Sequence, residues 1–318
     1  MIKVISFTVL ILGIFVLTGC TSQEQEWQNF LNESIRNTDA SVTKLGKQID
    51  SGLVKNTKLL TSYADFLRNQ KPELGEIIDA LALDARSSGP IFQSLKSRLA
   101  DAKIVAQATP QQGKAAVQEV WTELDLIKGA SSPDIYAMML TDPINVLADM
   151  SDGRLGRVEA MSKEAAMQAN SASDMGAGSQ LIGNPTYGQW RSDSSGSSFW
   201  AWYGRYALFS SLFRSPIYYG AWSGGRNYSY YHDYGRSHYT SPGQRRAQTA
   251  VNNQAKSKFQ QSGKSFQSPY AKTKTGAART VSKPRSSSRS GGFRSAYAKS
   301  GSVRSSASRT SRSFRGGK

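Results

Sequence analysis

Apolar side chains recur every three or four positions between residues 27 and 150, the spacing that places them on one face of an α-helix. Glycine and proline fall between these runs, so each run is expected to form one helix with a short connection to the next. No run in this part of the chain alternates apolar and polar residues as a half-buried strand would. The apolar positions include Trp27, Leu31, Ile35, Val42, Leu45, Ile49, Leu60, Tyr63, Leu67, Ile77, Ile78, Leu81, Phe92, Leu95, Leu99, Val117, Val120, Leu124 and Ile127.

This pattern predicts an all-α fold, an up-and-down bundle of about four or five helices within residues 20–170. Asp39 or Ser41 is expected to cap a second helix and so to divide the run between Trp27 and Ile49. The Trp, Phe and Met side chains are expected to form the core. The sequence has no Glu-x-x-His motif, so a di-iron site of the kind held by some bundles is not expected. A groove that binds a partner helix stays open as an alternative.

The N-terminus carries an anchor signal. Lys3 precedes an almost wholly apolar run over residues 4–17, which is shorter than the ~20 residues of a membrane-spanning helix. Leu17-Thr18-Gly19-Cys20 follows, and it resembles the lipobox of bacterial lipoproteins at all four positions. The resemblance implies that residues 1–19 are a signal peptide, that cleavage precedes Cys20, and that this cysteine carries diacylglycerol and an acylated amino group. The alternative is an uncleaved anchor helix with an incidental cysteine.

The same resemblance bears on location. Thr21 and Ser22 follow the cysteine, where an Asp typically retains lipoproteins in the inner membrane. We therefore expect a lipid-anchored protein of the cell envelope, in the outer membrane and facing the periplasm. Cys20 is the only cysteine, so acylation leaves no thiol for a disulfide or a metal.

The composition changes after residue 170. Residues 171–198 are rich in Ser, Gly and Asn and are predicted to be a polar linker, and residues 199–240 form a Trp/Tyr-rich segment. An amphipathic helix over residues 198–213 that lies on a membrane is one interpretation, because Trp and Tyr favour the headgroup region. Packing on the bundle, self-association and an aromatic platform for glycans are the others. The membrane-interface candidates are Phe199, Trp200, Trp202, Tyr203, Tyr206, Phe209 and Phe213.

Charge is divided unevenly along the chain. Residues 191–318 contain 23 Lys and Arg against two acidic residues, Asp193 and Asp233, whereas residues 21–190 carry a net charge of −5. Residues 241–318 are rich in Ser, Arg, Lys and Gly and are predicted to be disordered, since they offer little apolar surface to bury. The polyanion-binding candidates are Arg245, Arg246, Lys272, Lys274, Arg285, Arg289, Arg312 and Arg315.

Catalytic and metal-binding patterns are weak. His232 and His238, with Asp233 between them, are the only histidines, and a metal site is not expected there. Asp142 and its neighbours Asp149 and Asp152 are expected to be solvated helix caps. We find no nucleophile elbow and no phosphate-binding glycine motif, and we predict no enzyme, cofactor or metal.

These observations favour a non-enzymatic envelope lipoprotein whose basic tail binds anionic polymer or lipid. Peptidoglycan, lipopolysaccharide and anionic phospholipid are the candidate partners, and nucleic acid is not expected behind a lipobox. The alternative is an assembly subunit whose helical bundle docks a protein. The C-terminal part also resembles uncharacterised envelope lipoproteins with an aromatic segment and an Arg/Ser/Gly-rich tail. The stretches that carry this resemblance are Gly183-Asn184-Pro185-x-Tyr187-Gly188, the aromatic run from Phe199 and the terminal Ser-Arg-Ser-Phe-Arg-Gly-Gly.

Replacement of Cys20 by Ala tests the anchor. We expect wild-type protein to incorporate radiolabelled palmitate and to sediment with membranes, and the Cys20→Ala variant to do neither, because the acyl chains supply roughly 0.8 kcal/mol per buried CH₂. Thr21→Ala, which leaves the lipobox intact, should keep the label. A labelled, membrane-bound Cys20→Ala protein would contradict the assignment.

Overall fold

A computed structural model describes residues 22–158, 175–266 and 268–270. These residues are mostly helical, and they contain one two-stranded sheet. In the first half the α-helices are α1 (Gln23–Asp50), α2 (Thr57–Gln70), α3 (Gly75–Ala82), α4 (Pro90–Ala108), α5 (Lys114–Ala130), α6 (Pro133–Met139) and α7 (Thr141–Met150). Short 3₁₀ turns cover Pro72–Leu74, Leu83–Ala85 and Pro110–Gln112.

Helix α1 is continuous, whereas the sequence pattern predicted two helices. Ser22 caps it by accepting from Gln25 N. Within the helix, Thr38 and Ser41 donate their hydroxyls to the backbone carbonyls of Ser34 and Asn37, at 2.8 and 2.9 Å. Both residues therefore satisfy their polar side chains inside the helix instead of ending it.

The long helices α1, α4 and α5 pack against one another. Gly46 of α1 allows the close approach of α4, because a Cβ at this position would lie 2.8 Å from Phe92 Cζ. Helices α2, α3 and α7 form a second group, in which α2 contacts both α3 and α7. The main neighbours of α1 are thus α4 and α5 rather than the next helix in the chain, so the predicted simple up-and-down order is wrong.

The second half of the described chain, residues 175–266 and 268–270, is also folded, and apart from one long helix its elements are short. It contains 3₁₀ turns at Ser179–Leu181 and Gly204–Leu212, strands β1 (Gly188–Ser192) and β2 (Ser198–Trp202), helices α8 (Tyr219–Gly224), α9 (Arg236–Tyr239) and α10 (Pro242–Gln261), and a π-helical turn at Tyr231–Gly235.

Strands β1 and β2 form an antiparallel hairpin in which Trp190 pairs with Trp200. The carboxylate of Asp193 organises the turn, since its Oδ1 accepts from Ser195 N at 2.9 Å and from Ser197 N at 2.8 Å. Gly196 adopts a φ of +70°, which other residues rarely do. The prediction that residues 171–198 form a linker is therefore wrong for the hairpin strand.

Helix α10 lies in the region predicted to be disordered. Ser241 and Gln244 form a reciprocal capping box, and Pro242 occupies the first turn. Val251 and Ala255 then pack against a hydrophobic cluster formed by Ile182, Trp200, Tyr219 and Trp222. The disorder prediction is wrong for this helix, and residues 271–318 lie outside the described part of the chain.

Substitution of Gly89 tests the connection between α3 and α4. A Cβ at Gly89 would lie 2.2 Å from the Leu83 carbonyl oxygen and 2.7 Å from Asp84 Cα, so the backbone must move. We expect Gly89→Ala to lower the free energy of unfolding by about 3 kcal/mol in urea denaturation. Gly75→Ala is the control: it meets nothing within 4 Å and should stabilise by about 0.5 kcal/mol. Equal stability of the two variants would contradict the tight turn.

Candidate functional site

The Trp/Tyr-rich segment does not form a helix over residues 198–213, which is one of several interpretations of its sequence. Residues 198–202 are strand β2, residues 204–212 are 3₁₀ turns, and most of the aromatic rings face the interior. Among the candidates, Trp200, Tyr206 and Phe209 are buried, Phe199, Trp202 and Phe213 are half-buried, and Tyr203 is exposed. Within the described part of the chain, no helix combines the length and apolarity needed to cross a bilayer.

Tyrosine hydroxyls hold this segment on the helical half. Tyr206 donates to the Ala80 carbonyl of α3 at 2.9 Å, and Tyr239 donates to the Ala130 carbonyl at the end of α5 at 2.9 Å. Trp202 stacks on Phe209 with a centroid separation of 5.1 Å. Tyr206 and Tyr239 therefore bury their rings while each hydroxyl meets a backbone acceptor.

Asp84 is a buried carboxylate at the junction of the two halves. It accepts from Ile91 N in the first turn of α4 at 3.1 Å and from the Tyr187 hydroxyl at 2.8 Å. Burial raises its pKa to about 7, although both hydrogen bonds favour the charged form. The Tyr187 hydroxyl, which belongs to the second half, therefore helps to stabilise the buried Asp84 carboxyl.

Asp142, in the first turn of α7, is a second buried carboxylate that joins the two halves of the described chain. The sequence pattern predicted a solvated cap, but the residue is buried and binds a distant segment. It accepts from Ser229 Oγ at 2.8 Å, Tyr230 N at 2.8 Å and Tyr231 N at 3.0 Å, so it caps the π-helical turn. Burial raises its pKa to about 6 against the opposing effect of these donors.

The histidines lie in separate surroundings. His232 is buried, its Nε2 lies 2.7 Å from the Ile182 carbonyl, and burial holds its pKa well below the usual value. Asp233 instead forms a buried ion pair with Arg226 at 2.7 Å, and Arg226 also donates to the Pro269 carbonyl. Among the described residues, no group of three or more His, Cys, Asp or Glu side chains is arranged to hold a metal.

The structure describes two of the basic candidates. Arg245 is part-buried, with Nη2 at 3.4 Å from Glu123, which also pairs with the buried Arg98. Arg246 is exposed on α10. Cys20 and the remaining basic candidates, Lys272, Lys274, Arg285, Arg289, Arg312 and Arg315, lie outside the described residues.

A cleft separates the hairpin from helix α10. It has a volume of about 150 Å³. On the hairpin side its wall consists of Trp190, Trp200, Gln189 and the following Tyr203, and on the helix side of Gln244 and Gln248. Two indole rings, one phenol ring and three amides therefore meet in one small space.

Neither Asp84 nor the buried role of Asp142 is predictable from the sequence, because their partners are remote in the chain, and no local pattern singles out Trp190. A local signal for the hairpin does exist: Asp193 and Gly196 separate two Trp-containing stretches with the spacing of a five-residue turn. Likewise Ser241, Pro242 and Gln244 carry the start signal of α10.

No family model matches the chain, and no curated protein and no solved structure is significantly similar to it.

The Asp84 carboxyl predicts a pH-dependent stability. Its folded pKa of about 7 exceeds the unfolded value near 3.8, so its contribution is present at low pH and is lost as the pH rises through 7. Asp84→Asn removes this pH-dependent loss of stability, because the amide does not titrate. We expect its free energy of unfolding, relative to wild type, to rise by about 2 kcal/mol from pH 5 to pH 8 in urea denaturation.

The comparison with wild type at each pH cancels the contribution of the histidines to the free energy of unfolding. Their pKa values are lowered by burial, so their contribution rises with pH whereas that of Asp84 falls. Asp50→Asn is the matched control, because Asp50 is exposed and its hydrogen bonds to Ser87 lower its pKa. Its difference from wild type should stay constant between pH 5 and 8. A constant difference for Asp84→Asn as well would contradict the assigned titration.

Proposed function

We propose that the protein is a non-enzymatic lipoprotein of the cell envelope, anchored through acyl chains on Cys20, whose basic C-terminal region binds anionic polymer or lipid. The observation that carries the proposal is the separation of charge along the chain. Residues 241–318 contain 18 Lys and Arg and no acidic residue. Such a segment attracts polyanions over about a Debye length, and each cation near an anionic membrane contributes ~1 kcal/mol.

Not every cation of this region is equally available. Arg245 is part-buried and shares the Glu123 carboxylate with Arg98, and Lys258 donates to the Gly196 carbonyl at 2.7 Å. Arg246 and Lys256 are exposed on α10. We therefore assign most of the binding to residues 271–318, which contain thirteen Lys and Arg.

The compartment restricts the partner. Behind a lipobox, the polyanions within reach are phospholipid headgroups, lipopolysaccharide and the carboxylates of peptidoglycan. All three are recognised through the same cations, so the proposal names their shared chemistry.

A protein-docking subunit is the second candidate. Ile104 and Val105 of α4 are 67% and 54% exposed, although neighbouring apolar side chains of this helix are buried. An apolar pair on an otherwise polar face supports a contact with a protein partner.

Charge neutralisation tests the proposal. We expect replacement of the thirteen Lys and Arg of residues 271–318 by Gln to weaken binding to vesicles with anionic phospholipid, and to sacculi, by at least about 100-fold in low salt. Wild-type binding should fall steeply with added NaCl. The measurement is co-sedimentation of the purified protein.

A variant with residues 271–318 shuffled in order is the control, since it keeps the charge and should keep the binding. Unchanged binding by the neutralised variant would contradict the proposal. Cross-links from α4 to one protein in intact cells, together with that result, would favour the docking subunit instead.

A further inference from the structure

The cleft between the hairpin and α10 differs from the other grooves of the described residues in its lack of charge. Its wall contains no Asp, Glu, Lys or Arg. A larger groove of about 380 Å³ between α1 and α4 is lined by Lys47, Lys96 and Lys103. A nearby charge, Arg191, does not line the cleft and is bound by the Gln189 amide. The groups that face the cleft are aromatic rings and amides, which suit an uncharged polar ligand.

Tyr203 gives the cleft an accessible aromatic face. The residue is 41% exposed, whereas Tyr187, Tyr206 and Tyr239 are buried and donate their hydroxyls to the protein. Its backbone is fixed as well, because Tyr203 N donates to the Tyr187 carbonyl at 2.9 Å. An aromatic ring at the mouth of a cavity can stack on the apolar face of a sugar.

Amide groups surround this ring. With the Gln189 side chain oriented to satisfy both of its ends, its nitrogen donates to the Tyr203 hydroxyl at 3.3 Å and its oxygen accepts from Arg191. The amide oxygen of Gln244 accepts from Ser241 N, which holds that side chain in place at the opposite wall. Fixed amides beside an aromatic face provide the hydrogen-bonding groups that hydroxyl and acetamido substituents need.

Trp200 adds a polar group without a partner. It is buried, and its Nε1 makes no hydrogen bond within the described residues. Gly188 allows this packing, because a Cβ there would lie 2.8 Å from Trp200 Cε2, the carbon bonded to that nitrogen. Gly188 and Trp200 both line the cleft. An unpaired buried N–H is costly, so a small shift of the indole that brings this nitrogen to a ligand acceptor would be favoured.

We propose that this cleft binds a neutral pyranose ring, as the terminal or an exposed unit of an envelope glycan. Its volume of about 150 Å³ is half of the ~300 Å³ at which pockets for drug-sized ligands begin, so one ring can enter and the rest of a chain must lie outside. Binding depends on stacking and amide hydrogen bonds and is independent of the basic C-terminal region.

Titration of the full-length protein with two neutral tetrasaccharides tests the proposal: the β-1,4-linked N-acetylglucosamine tetramer and maltotetraose. We expect isothermal calorimetry and tryptophan fluorescence to give a Kd of about 1 mM for at least one of them, unaffected by NaCl. Tyr203→Ala should weaken binding at least about 10-fold, and Tyr203→Phe, which keeps the ring, less than about 3-fold.

Tyr218→Ala is the matched control, since Tyr218 has the same 41% exposure and does not line the cleft. Its affinity should equal that of wild type, and thermal unfolding should show that all three variants are folded. The proposal would be overturned if neither saccharide produced a heat or fluorescence change at concentrations well above the expected Kd. Equal losses in Tyr203→Ala and Tyr218→Ala would overturn it as well. Salt sensitivity separates this result from the polyanion proposal, because either can fail without the other.

Discussion

Burial of two carboxylates is the constraint on which the structure depends. Asp84 and Asp142 belong to the helical half, and both are removed from water. An unpaired buried carboxylate is very costly, and here part or all of the hydrogen bonding comes from the second half, through Tyr187, Ser229 and the backbone at Tyr230 and Tyr231. The helices between residues 22 and 158 are thus not an independent bundle with an appendage, and the two halves stabilise each other.

The aromatic residues follow the same logic. Tyr206 and Tyr239 combine an apolar ring with one hydroxyl, and each hydroxyl reaches a carbonyl at the end of a helix, where intrahelical donors run out. Phenylalanine would bury the same ring and would lose these two hydrogen bonds. An abundance of Trp and Tyr, which in sequence suggests a membrane interface, here serves a polar junction inside the protein.

The helical periodicity predicted most of the helices between residues 23 and 150, because their apolar faces depend on residues three or four apart. It failed where partners are remote. Nothing near Asp142 in the sequence indicates Tyr230, 88 residues away, and nothing near Ala80 indicates Tyr206, 126 residues away. It failed also at Ser41, whose bond to Asn37 reverses the usual meaning of a serine as a cap. The start of α10 was predictable from Ser241 and Gln244 but was outweighed by the low-complexity composition.

The early start of helix α1 would set the distance between the folded body and a bilayer, given the lipid anchor proposed on Cys20. The helix begins at Gln23, so only two residues, Thr21 and Ser22, would connect it to a lipid-modified Cys20. Fully extended, two residues span at most ~7 Å, whereas the helix itself is ~42 Å long at 1.5 Å per residue. With the proposed anchor, the partners of the folded body would lie close to the headgroups or along the length of this helix, since two residues span little distance.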